Sequence, residues 1–319
     1  MNAPTIREIR EAADRIMPFV HRTPILTSTS LNRICGAELY FKCENFQKAG
    51  AFKIRGATNA VFTLRHREAT KGVATHSSGN HAAALALAAR WRGIRASVVM
   101  PENAPQIKRD AVADYGAKIT FCKPTLEARE QGLAELLDQT GSVFIHPYND
   151  YRVISGQGTA GLELCEEVVD LDMVMVPVGG GGLLSGTAIA VSALSPSTQV
   201  IAAEPERAND AYRSFHAGKI IPIDHPDTIA DGLRTSLGEL TFPIIKKHVS
   251  DIITVSEELI LTGMRLIWER MKIIVEPSAA VALGALLEAS SRFSEKRIGI
   301  ILSGGNVDLA NLPWTSGGA

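Results

Sequence analysis

Met173-Val174-Met175-Val176-Pro177-Val178 runs straight into Gly179-Gly180-Gly181-Gly182 and then Leu183-Leu184-Ser185. The unbroken apolar run predicts a strand over 173–178, buried on both faces as in a parallel sheet. A helix is predicted over 183–193. The glycines between them leave a loop of bare backbone N–H groups at a helix start, where the chain can approach a phosphate closely. Taken alone, such a run is more simply a tight strand-to-helix turn. It lacks the Lys-Ser/Thr ending of a P-loop and the Gly-x-Gly-x-x-Gly spacing of a dinucleotide site, so ATPase and NAD readings lose ground.

Working outward, the same grammar repeats. Further strands are predicted at 39–43, 73–76, 96–100, 119–122, 143–146, 200–203, 252–255 and 298–302. Helices are predicted at 82–92, 126–139, 160–169, 257–272 and 278–289. Thr5 and Glu8 form a capping box that opens an amphipathic helix. Strand–helix alternation predicts an α/β chain with open, twisted, mostly parallel sheets flanked by helices. Ligands sit beyond the carboxyl ends of strands in such sheets. Three strands end in polar, glycine-containing turns: Ser77-Ser78-Gly79-Asn80-His81, the glycine run, and Ser303-Gly304-Gly305-Asn306.

Size and charge narrow the function class. A chain of 319 residues has room for two lobes, and its net charge of −1 offers no basic field for nucleic acid or an anionic membrane. No apolar run is long enough to span a bilayer, and the N-terminus lacks the basic and apolar regions of a signal peptide. The cysteines, Cys35, Cys43, Cys122 and Cys165, are scattered without a Cys-x-x-Cys pair. They read as isolated thiols in a reducing cytoplasm rather than as a zinc or redox site. Residues 315–319 read as a loose tail.

One lysine stands out. Lys53 lies in Gly50-Ala51-Phe52-Lys53-Ile54-Arg55-Gly56-Ala57, where the apolar flanks favour partial burial and a lowered pKa. Arg55 reads as surface decoration, and Phe52 alone could be plain core. A lysine able to form a Schiff base, together with a phosphate cup, matches the needs of pyridoxal phosphate (PLP). The Ser77–His81 turn, alone, is more simply an N-cap cluster. It would also seat a carboxylate.

Phe52-Lys53-Ile54-Arg55-Gly56-Ala57, Ser77-Ser78-Gly79-Asn80-His81, Gly156-Gln157-Gly158-Thr159, Gly179–Gly182 and Ser303-Gly304-Gly305-Asn306 occur in this order. In that order and spacing the chain resembles the fold-type II PLP enzymes of the serine/threonine dehydratase and serine racemase family. The likeness runs from the first helix to Asn306. It implies a two-lobed, tryptophan synthase β-like fold, with residues 1–71 and 150–319 as the large PLP-binding domain and 72–149 as a small mobile domain.

The resemblance also implies roles. Lys53 would bind PLP covalently and shuttle protons on one face. Phe52 would pack on the ring, Asn80 would bond its phenolic oxygen, Gly179, Gly180, Gly181 and Gly182 would hold the phosphate, and Ser303 would meet the pyridine nitrogen. Ser77, Asn80 and His81 would bind the substrate carboxylate. Ser78 matches the opposite-face acid/base of the racemase-like branch. Arg129 and Ser236 match residues facing the substrate side chain. Glu204 and Asp210, with the Ala208 carbonyl, match a site for Mg²⁺ (or Ca²⁺ or Mn²⁺), whose hard oxygen ligands suit such ions. Without the family, Glu204 and Asp210 would read as surface acids and Arg129 as a solvated charge.

Departures count as well. Ala51 replaces the usual serine. Ala82-Ala83 replace a Gly-Gln pair whose glutamine serves a nucleotide effector in animal racemases, so nucleotide activation is not expected. No room remains after Pro313 for a regulatory domain, so isoleucine feedback is not expected.

These readings converge on a cytoplasmic, commonly dimeric lyase that removes water from a β-hydroxy-α-amino acid, giving a 2-oxo acid and ammonia. L-Serine and L-threonine are the default substrates. Arg129 raises L-threo-3-hydroxyaspartate, because arginine pairs bidentately with a carboxylate. The alternatives are a serine or aspartate racemase, a bifunctional enzyme, and a non-catalytic PLP- or amino-acid-binding protein.

Overall fold

The computed structural model describes residues 3–77, 79–104 and 106–314. Its strands in chain order are β1 (Ile25–Leu26), β2 (Glu38–Cys43), β3 (Val73–His76), β4 (Ala96–Pro101), β5 (Lys118–Cys122), β6 (Val143–Phe144), β7 (Met173–Pro177), β8 (Gln199–Pro205), β9 (Asp251–Val255) and β10 (Arg297–Leu302). Among the described residues they form a six-stranded sheet, in the order β1-β2-β10-β7-β8-β9, and a four-stranded sheet, in the order β5-β4-β3-β6. Every ladder is parallel except β1 with β2. β10 lies between β2 and β7, with Ile300 opposite both Phe41 and Met175.

The continuous apolar runs are explained by burial on both faces. Along β7, Met173 and Met175 pack with Val281 and Leu283 of the helix Pro277–Glu288. Val174 and Val176 face the other way, onto Leu164 of the helix Tyr151–Glu167 and Leu184 of the helix Gly182–Leu194. Alternation between two cores leaves no polar face for water, so the strand reads as uniformly apolar.

Most expected elements form within one or two residues of their predicted ends. Two differ for clear reasons. The strand predicted over 143–146 pairs only through Phe144 (Ile145 N–H still reaches Ala74 O at 3.0 Å), and the His146 ring then turns the chain by accepting the N–H groups of Tyr148 and Asn149. The helix expected over 160–169 starts at Tyr151, because Asp150 caps it and Gly156 and Gly158 sit inside it. Glycine weakens a helix interior, but a Cβ on Gly156 would lie 2.6 Å from the Arg55 carbonyl oxygen. Close helix packing outweighs propensity there. The helix Lys53–Phe62 was not expected at all. Residues 315–319, read as a tail, lie outside the described residues. The capping box forms, with Thr5 N–H donating to Glu8 Oε2 at 2.8 Å.

Candidate active site

The carboxyl ends of β3, β7 and β10 bring the three polar turns together. The glycine turn follows β7, whose last link is Val178 N–H to Ala203 O at 2.9 Å. Gly181 sits at φ +88°, a left-handed conformation that suits glycine, and caps the helix Gly182–Leu194 without a side chain. A Cβ on Gly180 would fall 2.3 Å from the Tyr148 ring. The glycines bring the backbone close under that ring, at the positive end of the helix.

Lys53 is the first residue of its helix. Its partly buried Nζ donates to Pro147 O at 2.9 Å and stands 5.1 Å from the centre of the Phe52 ring. Burial of the amine lowers its pKa to about 8, against a smaller opposing pull from Glu276. A substantial share is thus neutral near physiological pH, as a nucleophilic amine requires. Phe52 is tied to the third turn, its N–H donating to Ser303 O at 3.0 Å. Ser303 itself is buried, and Ala51 bridges Gly304.

Asn80 opens the helix Asn80–Arg92 after Gly79, which provides no side-chain cap. Its Nδ2 donates to Glu276 Oε1 at 2.8 Å, and its Oδ1 accepts from Asn306 Nδ2 at 2.9 Å. Ser77 Oγ accepts the Gly79 N–H at 3.3 Å. His81 is buried, with Nε2 3.1 Å from Ile145 O, and burial first, then Lys53, drives its pKa down to about 3. The ring is neutral, so His81 offers an anion its backbone N–H at the helix start rather than a charge. Ser78, named above as the opposite-face acid/base, lies outside the described residues.

Arg129 lies near the start of the helix Leu126–Thr140, half-buried, with Nε donating to Thr125 O at 3.3 Å. Its charge, after burial, helps hold His76 down at about 4. His76 ends β3, so the charge is felt at the carboxyl end of that strand. Among the described residues no acid forms a salt bridge with it. Ser236 is half-buried, and its Oγ accepts the Ile223 N–H at 3.0 Å. The adjacent Thr235 Oγ1 lies 2.8 Å from the Tyr148 hydroxyl.

Glu204 and Asp210 are buried, not surface acids. Glu204 accepts the N–H groups of Ala211 and Tyr212 at 2.8 Å each, and Asp210 Oδ2 accepts that of Leu237 at 3.0 Å. Among the described residues, Asp210 Oδ1 has no partner. Burial raises both carboxyls, Asp210 to about 7, and Asp210 raises Glu204 further. Two acids crowded out of water with an orphaned oxygen have the donor chemistry that a hard cation takes. Among the described residues no third acid, histidine or cysteine joins them.

Several residues here escaped the sequence reading. Glu276, at the head of the helix Pro277–Glu288, is buried, and burial, then Asp231, pushes its pKa up to about 8. Lys108 pairs with Asp231 across the cleft. Tyr148 covers Gly180. The only local signal was an acid directly before Pro277. Arg55, read as surface decoration, is wholly buried.

The sequence pattern of the family described as "Pyridoxal-phosphate dependent enzyme" matches residues 16–304. The chain belongs to this family. The PLP enzyme is 55% identical over 314 residues to the beta-hydroxyaspartate dehydratase of Paracoccus denitrificans (strain Pd 1222), covering 98% of this chain and 100% of that protein. It is 53% identical to the serine racemase of Arabidopsis thaliana, covering 98% and 96%. The solved structure of maize serine racemase superposes with a TM-score of 0.95 at 50% identity, covering 99% of this enzyme and 97% of that chain. The fold-type II assignment, the α/β architecture and an enzyme of the lyase and racemase branch therefore stand. Among the described residues no helix is long and apolar enough to cross a membrane.

Proposed function

We propose that this enzyme removes water from 3-hydroxyaspartate, giving oxaloacetate and ammonia. The observation that carries this reading is Arg129, a half-buried guanidinium whose charge is felt at His76 and which, among the described residues, forms no salt bridge with an acid. A substrate with a second carboxylate supplies that partner. The 55% identity to a dehydratase of this name supports it.

When bound, PLP supplies an electrophilic carbonyl and a sink for the electron pair left at the substrate Cα. Lys53 is the residue that would hold it, with Gly179–Gly182 at its phosphate, Phe52 and Asn80 at its ring and Ser303 at its ring nitrogen. The first-turn N–H groups of Asn80 and His81, with Ser77, seat the α-carboxylate. Arg129 takes the distal carboxylate, with Ser236 beside it. Lys53 Nζ accepts the Cα proton as general base and returns a proton to the departing β-hydroxyl, which leaves as water. The released enamine rearranges, and water hydrolyses it to the oxo acid and ammonia. The segment 72–149, which holds the four-stranded sheet, is the lobe that closes over the substrate and excludes water. Its Lys108 meets Asp231 of the larger lobe. The working unit is a homodimer in the cytoplasm.

The experiment is ammonia release from L-serine, L-threonine, D-serine and the 3-hydroxyaspartate isomers. A preference for one hydroxyaspartate isomer is expected. A preference for serine or threonine would return the enzyme to general dehydratase work. Racemisation is the second reading. It is favoured by Ser78 in the sequence and by the Arabidopsis relative, and chiral analysis of the unreacted substrate measures it directly.

A Mg²⁺ ion at Glu204, Ala208 and Asp210 would bear on stability. Without it, burial holds the Asp210 carboxyl up at about 7, above its ordinary value of 3.8. The folded chain keeps a proton that the unfolded chain has released, so stability is lost as pH rises through about 4 to 7. Glu204 adds in the same direction. A divalent cation binds the ionised pair, so the gain in thermal midpoint with MgCl₂ over EDTA should grow from about pH 5 to about pH 8. An equal gain at both, or none, would remove the ion from this site.

A further inference from the structure

Arg55 and the motif Gly156-Gln157-Gly158-Thr159 take no part in the chemistry above, yet they meet directly behind Lys53. Lys53 begins its helix, and the residue before it, Phe52, caps nothing with its side chain. The first turn is closed by Ile54 N–H to Ala51 O at 3.5 Å and Arg55 N–H to Phe52 O at 3.0 Å. The Gly56 N–H finds an acceptor on another helix, Gln157 Oε1 at 3.2 Å. To reach it the two helices touch backbone to backbone. A Cβ on Gly56 would lie 2.4 Å from Gln157 Nε2, and one on Gly156 would lie 2.7 Å from Gly56 Cα. Among the described residues, Gln157 Nε2 is itself left buried without a partner. The amide is therefore held for its oxygen.

Arg55 secures the same turn. Residues two apart on a helix point about 200° from one another, so Arg55 projects away from Lys53, into the protein. Its Nε and Nη2 fork onto Glu44 at 2.7 and 2.8 Å. Its Nη1 and Nη2 fork onto Glu163 at 2.7 and 2.8 Å, and Nη1 also meets Thr159 Oγ1 at 3.1 Å. Lys42 Nζ pairs with Glu163 at 2.6 Å and donates to Thr23 O at 2.7 Å, while Thr23 Oγ1 donates to Glu44 at 2.6 Å. Two cations balance two carboxylates in a dry pocket. Both planar forks fix direction as well as distance.

We propose that Arg55 and Gln157 are positioning residues for Lys53. They form a mount that fixes the rotation of its helix turn and so the aim of its amine. This rests on the reading of Lys53 as the residue that holds PLP. A purely stabilising role would be a weak explanation, since buried ion pairs are often replaceable by apolar groups without loss of stability.

The test uses Gln157→Met, which keeps length and bulk but removes the acceptor, and Arg55→Lys, which keeps the charge but removes the fork. PLP is added back to cofactor-free protein. The rate of its fixation at Lys53 is followed by absorbance, then by borohydride reduction and peptide mapping. Holoenzyme kcat, KM and thermal midpoint are measured alongside. Misaiming predicts fixation and kcat each slower by about 10- to 100-fold, with KM within about threefold of wild type. Wild-type fixation and kcat with only a lower thermal midpoint would overturn the proposal. Gln157→Met decides alone if Arg55→Lys does not fold. Lys53→Ala is the control: PLP fixed elsewhere in that variant would refute the assignment of Lys53 rather than the mount.

Discussion

Lys53→Ala should abolish turnover of every substrate and remove the visible absorbance of lysine-bound pyridoxal, while leaving the fold intact. The activity loss has two sources. In the proposed function the amine is both the covalent attachment point and the base for the Cα proton. The second job alone contributes about 10²- to 10⁴-fold, so kcat should drop by at least about 10⁴-fold. The fold should survive because, among the described residues, Nζ makes a single hydrogen bond, to Pro147 O. In cofactor-free protein the amine is a burden. Its folded pKa of about 8 lies below the ordinary value of 10.5, so the unfolded chain binds more protons between them. Stability therefore rises with pH across that window, and the burden is fully present below about pH 8. The cofactor-free variant should thus unfold no earlier than cofactor-free wild type at neutral pH. Spectra, ammonia release and thermal unfolding check these points together, and full turnover by the variant would refute the assignment.

Much of this site was legible because its chemistry leaves marks along the chain. A phosphate cradle needs backbone approach, and Gly179–Gly182 shows it locally. Strands buried on both faces become apolar runs, so β7 and β10 could be read with ends nearly correct. What escaped depends on partners distant in sequence. Arg55 looks like a surface charge until Glu44 and Glu163 are seen on either side of it. The helix Lys53–Phe62 buries Arg55, Thr58 and Asn59, so it shows no apolar stripe on a polar background. Glu204 and Asp210 carried no burial signal, and only the family resemblance singled them out. Glu276 met Asn80 across 196 positions, and nothing near Pro277 announced that contact.

Arg129→Ala should separate the candidate substrates. A hydroxyaspartate has two carboxylates, and in the proposed function the helix start at Asn80 seats only one of them. The other needs a cation, and Arg129 can offer a planar fork of donors. Hydrogen bonds to charged groups contribute about 1.5–3 kcal/mol each. Loss of the fork should therefore lower kcat/KM for hydroxyaspartate by about 10²- to 10³-fold. Serine has no distal carboxylate, so its kcat/KM should change by less than about threefold. If the fork grips ground state and transition state alike, the loss appears in KM. If it tightens only as the β-hydroxyl leaves, the loss appears in kcat. Arg129→Lys should fall between wild type and alanine, since a point charge keeps the attraction and forfeits the bidentate geometry. Equal losses on serine and hydroxyaspartate would mean that Arg129 supports the cleft through His76 and the Thr125 carbonyl rather than reading the substrate.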